Sequence, residues 1–256
     1  MSTHLETRDL TIRFGGHVAV DSVTCAFRPG ELTAIVGPNG AGKTTYFNLI
    51  SGQLRASAGH VLFNGEDLTR LPASLRARRG LGRAFQLTNL FPNLTVAENI
   101  RLAVQARRGV HYEMLRVWSD RADLIARSDE VLADVALTAR RNVAAAALSH
   151  GDQRKLEVGM MLALEPNVFM FDEPTAGMSV DEVPVVLDLI AKLKRDASKI
   201  ILLVEHKMDV VRSLADRIIV LHNGRLVADG APAEVIASPI VQEAYLGAAP
   251  AKATAA

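Results

Sequence analysis

Apolar and polar residues alternate through Leu10, Ile12 and Phe14, and again through Val18, Val20, Val23, Cys25 and Phe27. A two-residue period puts successive side chains on opposite faces, which predicts two short antiparallel strands near the N-terminus. Three other runs, Leu32–Val36, Val168–Phe171 and Ile200–Val204, are apolar throughout. Uninterrupted apolar runs of this length suit parallel strands covered on both faces, so an α/β sheet is expected, with its chemistry at the C-terminal ends of the strands. Asn64-Gly65 lies between Val61-Leu62-Phe63 and Glu66-Asp67-Leu68, and Asn223-Gly224 between Ile218–Leu221 and Arg225-Leu226-Val227; each pair predicts a two-residue hairpin turn.

From about residue 88 to 165 the period changes to that of helices: Val96 to Arg107, Tyr112 to about Arg140, and a segment opening near Asp152. Helices set between two strands of one sheet read as an insertion. The expected organisation is therefore a core of residues 1–87 and 166–247, an inserted helical subdomain over 88–165, and a tail over 248–256 too poor in packing residues to order.

Of the 256 residues, 49% are hydrophobic, enough for one large core, and 29 basic against 28 acidic side chains give a net charge of +1, no basis for nucleic acid as a partner. Arg76, Arg78, Arg79 and Arg83, like Arg107 and Arg108, are expected on a solvated face. Cys25 is the one cysteine, so there is neither an intrachain disulfide nor a cysteine metal cluster, and a place in the core is expected for it. No stretch approaches the roughly 18 to 20 apolar residues of a membrane helix. The N-terminus lacks the basic-then-apolar pattern of an export signal, so a cytoplasmic location is expected.

The chemistry begins at Gly37-Pro38-Asn39-Gly40-Ala41-Gly42-Lys43-Thr44-Thr45, between an apolar strand and a helical segment. Glycines there let successive amides turn toward phosphate oxygens at a helix N-terminus. Lys43 is expected to reach the β- and γ-phosphates, Thr44 to ligate Mg²⁺, and Thr45 to add a phosphate hydrogen bond. After Val168–Phe171 come Asp172 and Glu173: Asp172 is placed to hold the Mg²⁺ shell, and Glu173 to orient the attacking water or take its proton.

Leu148-Ser149-His150-Gly151-Asp152-Gln153, just before a helix, resembles the Leu-Ser-Gly-Gly-Gln element of the ATP-binding cassette (ABC) family. Leu148, Ser149 and Gly151 match; His150 replaces a glycine and Asp152 the glutamine. The resemblance runs along nearly all of residues 4 to 247 and implies a RecA-like P-loop NTPase core with an antiparallel β-subdomain and the helical insertion. It implies that Ser149 and Gly151 contact the γ-phosphate held by an opposite ATPase subunit, that Gln86 joins the Mg²⁺ and water network, that His206 contacts the γ-phosphate, and that Phe14 stacks on adenine. Where the family commonly has Ser-Ala-Leu-Asp after the carboxylates, this chain has Ala176-Gly177-Met178-Ser179.

Ala-Gly-Met, Val-Glu-His-Lys-Met-Asp and the terminal Tyr245-Leu246-Gly247 are similar to the ATPases of branched-chain amino acid importers and their urea or amide relatives. This implies two membrane permease subunits, met in part through Phe91–Asn99, a second ATPase chain, the same or related, and an extracytoplasmic solute-binding protein served indirectly. The ATPase itself would lie at the cytoplasmic face of the membrane. An exporter ATPase for envelope lipid or lipopolysaccharide is the alternative within the fold. A mechanical ATPase acting on DNA or the ribosome is disfavoured by the lack of coiled-coil insertions, and a non-catalytic nucleotide binder by the joint presence of Lys43, Asp172, Glu173 and His206.

Overall fold

The computed structural model describes residues 4–84, 90–108, 122–239 and 241. Gln86, Tyr245-Leu246-Gly247 and the tail from Ala248 lie outside the described residues. The alternating segments form β1 (Leu5–Phe14) and β2 (His17–Phe27), antiparallel as expected and joined with β4 (Ala58–Phe63) and β5 (Glu66–Asp67) in a sheet of order β2-β1-β4-β5. The continuous runs become β3 (Leu32–Val36), β7 (Val168–Asp172) and β8 (Ile200–Val204), each buried at every position. With β6 (Leu81–Ala84), β9 (Arg217–His222) and β10 (Arg225–Gly230) they form a six-stranded sheet of order β10-β9-β3-β8-β7-β6, parallel except for β10.

Alternate residues of these strands enter different cores, which is why the runs need no polar positions. Val168, Met170, Ile200 and Leu202 pack with Tyr46, Phe47 and Ile50 of α1 (Lys43–Ser51) and with the antiparallel sheet. Phe169, Phe171, Ile201 and Leu203 pack on the other side with α3 (Val96–Arg107), α4 (Ala122–Asp134), α5 (His150–Ala163) and α6 (Val183–Lys194). A third cluster joins β3 and β9 to α7 (Met208–Leu214) and α8 (Pro232–Ala237). Cys25 lies in the core, and burial pushes its thiol up to about 12. Both Asn-Gly pairs form the hairpin turns expected, with positive φ at Asn64 (52°), Gly65 (82°), Asn223 (48°) and Gly224 (76°).

Two expectations are corrected. The helix predicted to run to about Arg140 stops at Asp134. Ala136 takes a left-handed φ of 55°, Leu137 N–H donates to Leu132 O (2.9 Å) and Ala136 N–H to Ala133 O (3.1 Å), the paired bonds of a Schellman cap; an alanine in this role leaves no glycine stop signal in the sequence. The arginine cluster also divides. Arg78 and Arg79 are exposed, but Arg76 in α2 (Ala73–Arg78) is 2% exposed and the Arg83 side chain on β6 is 5% exposed. The guanidinium of Arg76 donates to the carbonyls of Leu49, Ile50, Thr69 and Leu71, and Arg83 pairs with Asp172.

Candidate functional site

β3 delivers the glycine loop to the head of α1. Gly37 (φ 151°) and Gly42 (φ 95°) are required sterically as well as conformationally: a Cβ on Gly37 would lie 2.1 Å from Leu221 O, and one on Gly42 2.4 Å from Ala19 O. Gly42 is the N-cap and supplies no side chain, so the first-turn amides of α1 can meet an anion. Lys43 folds back on the loop, with Nζ donating to Gly37 O (2.7 Å) and Pro38 O (2.9 Å). Burial holds its ammonium below the ordinary lysine value, opposed by the charges of Glu173 and Asp172.

The neighbouring strands β7 and β8 end beside this loop because β8 lies between β3 and β7. Asp172 is the last residue of β7 and is buried; Arg83 Nη2 holds its Oδ2 at 2.7 Å, while Oδ1 is buried without a hydrogen-bond partner among the described residues. Burial pushes the carboxyl above its usual range, against the pull of Arg83. Glu173 leaves the strand with a left-handed φ of 49°, a conformation costing about 1–2 kcal/mol for an L residue, and is held by its N–H to Val204 O (2.9 Å). That turn brings its Oε1 within 2.8 Å of His206 Nε2.

An open cleft of about 460 Å³ gathers Phe14, Asn39, Gly40, Ala41, Gly42, Lys43, Thr44, Thr45, Glu173 and His206. Gly37 and Pro38 are not among its lining residues but touch Lys43, and Asp172 is also outside the lining. Phe14, 50% exposed at the β1–β2 turn, is a cleft residue and not part of a core. His17 and Ala19 also line the cleft, which the sequence did not signal. The sequence reading also passed over Glu205. Buried beyond β8, it accepts from the Thr175 hydroxyl (2.7 Å) and from the N–H groups of His206 (2.8 Å) and Lys207 (3.2 Å), tying the loop after Glu173 to the backbone carrying His206.

Ser149 and Gly151 are not in this cleft. Ser149 caps α5, its Oγ accepting from Asp152 N–H at 3.1 Å. Gly151 faces the Glu182 carboxylate so closely that a Cβ would come within 2.1 Å of Oε2, and the same oxygen accepts from Ser179 N–H and Oγ (3.1 and 3.0 Å). A Cβ on Gly177 would meet the His150 ring at 2.9 Å. His150 and Ser179, two of the positions that depart from the family pattern, thus belong to one packed cluster.

The ABC transporter family pattern matches residues 20–176. The chain belongs to the ABC transporter ATP-binding family. A second pattern, that of the branched-chain amino acid ATP-binding cassette transporter, matches residues 225–251 of this ABC ATPase. It is 37% identical over 250 residues to the high-affinity branched-chain amino acid transport ATP-binding protein LivG of Escherichia coli K12, covering 96% of this chain and 98% of that one. The corresponding protein BraF of Pseudomonas aeruginosa is 35% identical over the same shares. Among solved structures, the ADP conformation of an ATP-binding cassette of an ABC transporter superposes with a TM-score of 0.80 at 26% identity, covering 96% of this chain and all of that one. The fold is that of a P-loop NTPase, and this ABC ATPase is a nucleotide-binding, ATP-hydrolysing transporter subunit. No helix among the described residues is long and apolar enough to cross a membrane.

Proposed function

We propose that this ABC ATPase powers import of a branched-chain amino acid or a chemically related small polar solute, such as urea or an amide, through two separate membrane subunits. It would act peripherally at the cytoplasmic face of the membrane and serve an extracytoplasmic binding protein indirectly. The names of the relatives similar over nearly the whole chain support the solute class. The observation that carries the catalytic reading is the convergence of Lys43, Glu173 and His206 on one cleft while Ser149 and Gly151 lie outside it. Each chain then carries two half-sites, and two chains together hold two ATP molecules, each between one phosphate loop and the partner's Ser149 end.

The donors suit Mg²⁺: Thr44 lines the cleft and Asp172 keeps a buried Oδ1 with no hydrogen-bond partner among the described residues, both offering hard oxygens of an incomplete shell of the kind Mg²⁺ completes with phosphate and water. Thr44 and Asp172 would hold it, with Gln86 as a further donor, and when bound it neutralises phosphate charge. Lys43 would exchange its loop carbonyls for phosphate oxygens, and Phe14 would stack on adenine. Glu173 would orient water for in-line attack and take its proton, with His206, hydrogen-bonded to it, presented to the γ-phosphate. ATP that binds the closed dimer better than the open one shifts the membrane subunits between inward- and outward-facing states.

Glu173→Gln tests this reading. ATP binding by calorimetry should persist, hydrolysis should fall by about 10²-fold or more, and ATP should now hold the chain as a dimer in size-exclusion chromatography. Unchanged turnover, or full turnover by a strict monomer, refutes the catalytic assignment; leucine uptake by vesicles carrying the assembled transporter tests the solute class.

A further inference from the structure

We propose that Arg83 is a positioning residue for the metal–nucleotide site: by gripping one oxygen of Asp172 it presents the other for Mg²⁺. The inference rests on reading the cleft as an Mg²⁺–ATP site. Contacts from β7 and α1 converge on this one buried side chain. Nη2 donates to Asp172 Oδ2 at 2.7 Å. Nη1 donates to Asn48 Oδ1 (2.6 Å) and Ser51 Oγ (2.8 Å), both on α1, the helix that opens with Lys43 and Thr44. The guanidinium also lies 5.3 Å from the centre of the Phe47 ring.

A carboxylate free to rotate offers a metal either oxygen or both. Asp172 is not free: Oδ2 is committed to Arg83, and Oδ1 is the buried oxygen with no hydrogen-bond partner among the described residues. Groups that orient metal ligands from behind are worth about 10- to 100-fold in metal affinity. The planar fork also explains why arginine stands here. Its two ends bridge the carboxylate of β7 and the polar side chains of α1, fixing the two Mg²⁺-facing elements relative to each other; an ammonium is a single point and cannot span both.

The test is ATP binding by calorimetry, with excess Mg²⁺ and with EDTA, in Arg83→Met and Arg83→Lys, each in the slowly hydrolysing Glu173→Gln background. The quantity read is the ratio of the two dissociation constants, the gain that Mg²⁺ confers. Arg83→Met should reduce that gain by about tenfold or more while EDTA binding changes little, and Arg83→Lys, which keeps the charge but not the bridge, should fall between it and the parent. A merely structural arginine would weaken both measurements equally and leave the ratio unchanged, which overturns the inference. If Arg83→Met does not fold, the lysine variant decides alone: a parental gain in it rejects the bridging role. A parent protein with no Mg²⁺ gain refutes the metal–nucleotide reading itself.

Discussion

Replacing Arg76 by methionine removes a buried charge that no carboxylate among the described residues contacts. Its guanidinium donates to Leu49 O (2.6 Å), Ile50 O (2.7 Å), Thr69 O (2.8 Å) and Leu71 O (2.9 Å). Leu49 and Ile50 lie in the last turn of α1, where Leu49 O also accepts the capping Gly52 N–H at 3.3 Å and the helix dipole favours a cation. Four bonds from a charged donor, at about 1.5–3 kcal/mol each, outweigh the desolvation the charge bears on folding. That burial drives the Arg76 pKa from 12.5 to about 10, an opposing cost of about 3 kcal/mol. Thr69 and Leu71 lie in a loop, and relaxation there puts the expected net loss near the low end, about 3–5 kcal/mol, within the range for breaking a buried charged contact. Urea unfolding at neutral pH measures this, and the thermal midpoint should drop by about 10 °C. Arg79→Met is the control, because its ion pair with Glu66 is about half exposed and should cost no more than about 1 kcal/mol. A loss at Arg76 no larger than at Arg79 would show that these carbonyls are satisfied without the guanidinium.

Ala136→Gly should stabilise the protein by about 0.5 kcal/mol in the same urea assay, because relief of the left-handed alanine slightly exceeds the added freedom of the unfolded chain; a loss of stability would contradict the cap assignment. Asp67 has an acid-sensitive role: burial pushes its carboxyl up, but the Thr69 hydroxyl and N–H and the His60 ring outweigh this and bring it down from 3.8 to about 2. The unfolded chain therefore binds the extra proton first, so this contribution is complete above about pH 4 and is lost as pH falls toward about 2. Asp67 is about half exposed and its effect is screened accordingly; Asp67→Asn should lower the urea midpoint at neutral pH and flatten its fall below about pH 4, and an equally steep fall in the variant would refute the role.

The parts of the molecule legible in the sequence are those whose cause is local. Continuous apolar runs give strands covered twice, Asn-Gly gives a tight hairpin, and glycines spaced before Lys43 give a loop folded around a helix N-terminus. What escaped depends on groups distant in the chain. A row of arginines reads as solvated until the fold brings Leu49 and Ile50 to Arg76 and Asp172 to Arg83, partners 26 to 89 residues away. Glu205 reads as an ordinary neighbour of His206, because its long-range partner, the Thr175 hydroxyl 30 residues away, is met only where β8 ends beside the loop after Glu173. The early stop of α4 was hidden by an alanine in a place where glycine is the usual mark.

The close approach of His150 to Gly177 and of Glu182 to Gly151 makes the serine-capped end of α5 and the turn beyond the paired carboxylates sterically interdependent. A larger residue at 177 is strained by its left-handed φ of 73° and also presses on the ring at 150, and any side chain at 151 must displace the acid at 182. Grafting either stretch from another cassette into this one would therefore transfer half of a lock, and such a hybrid should recover only when both halves come from the same donor.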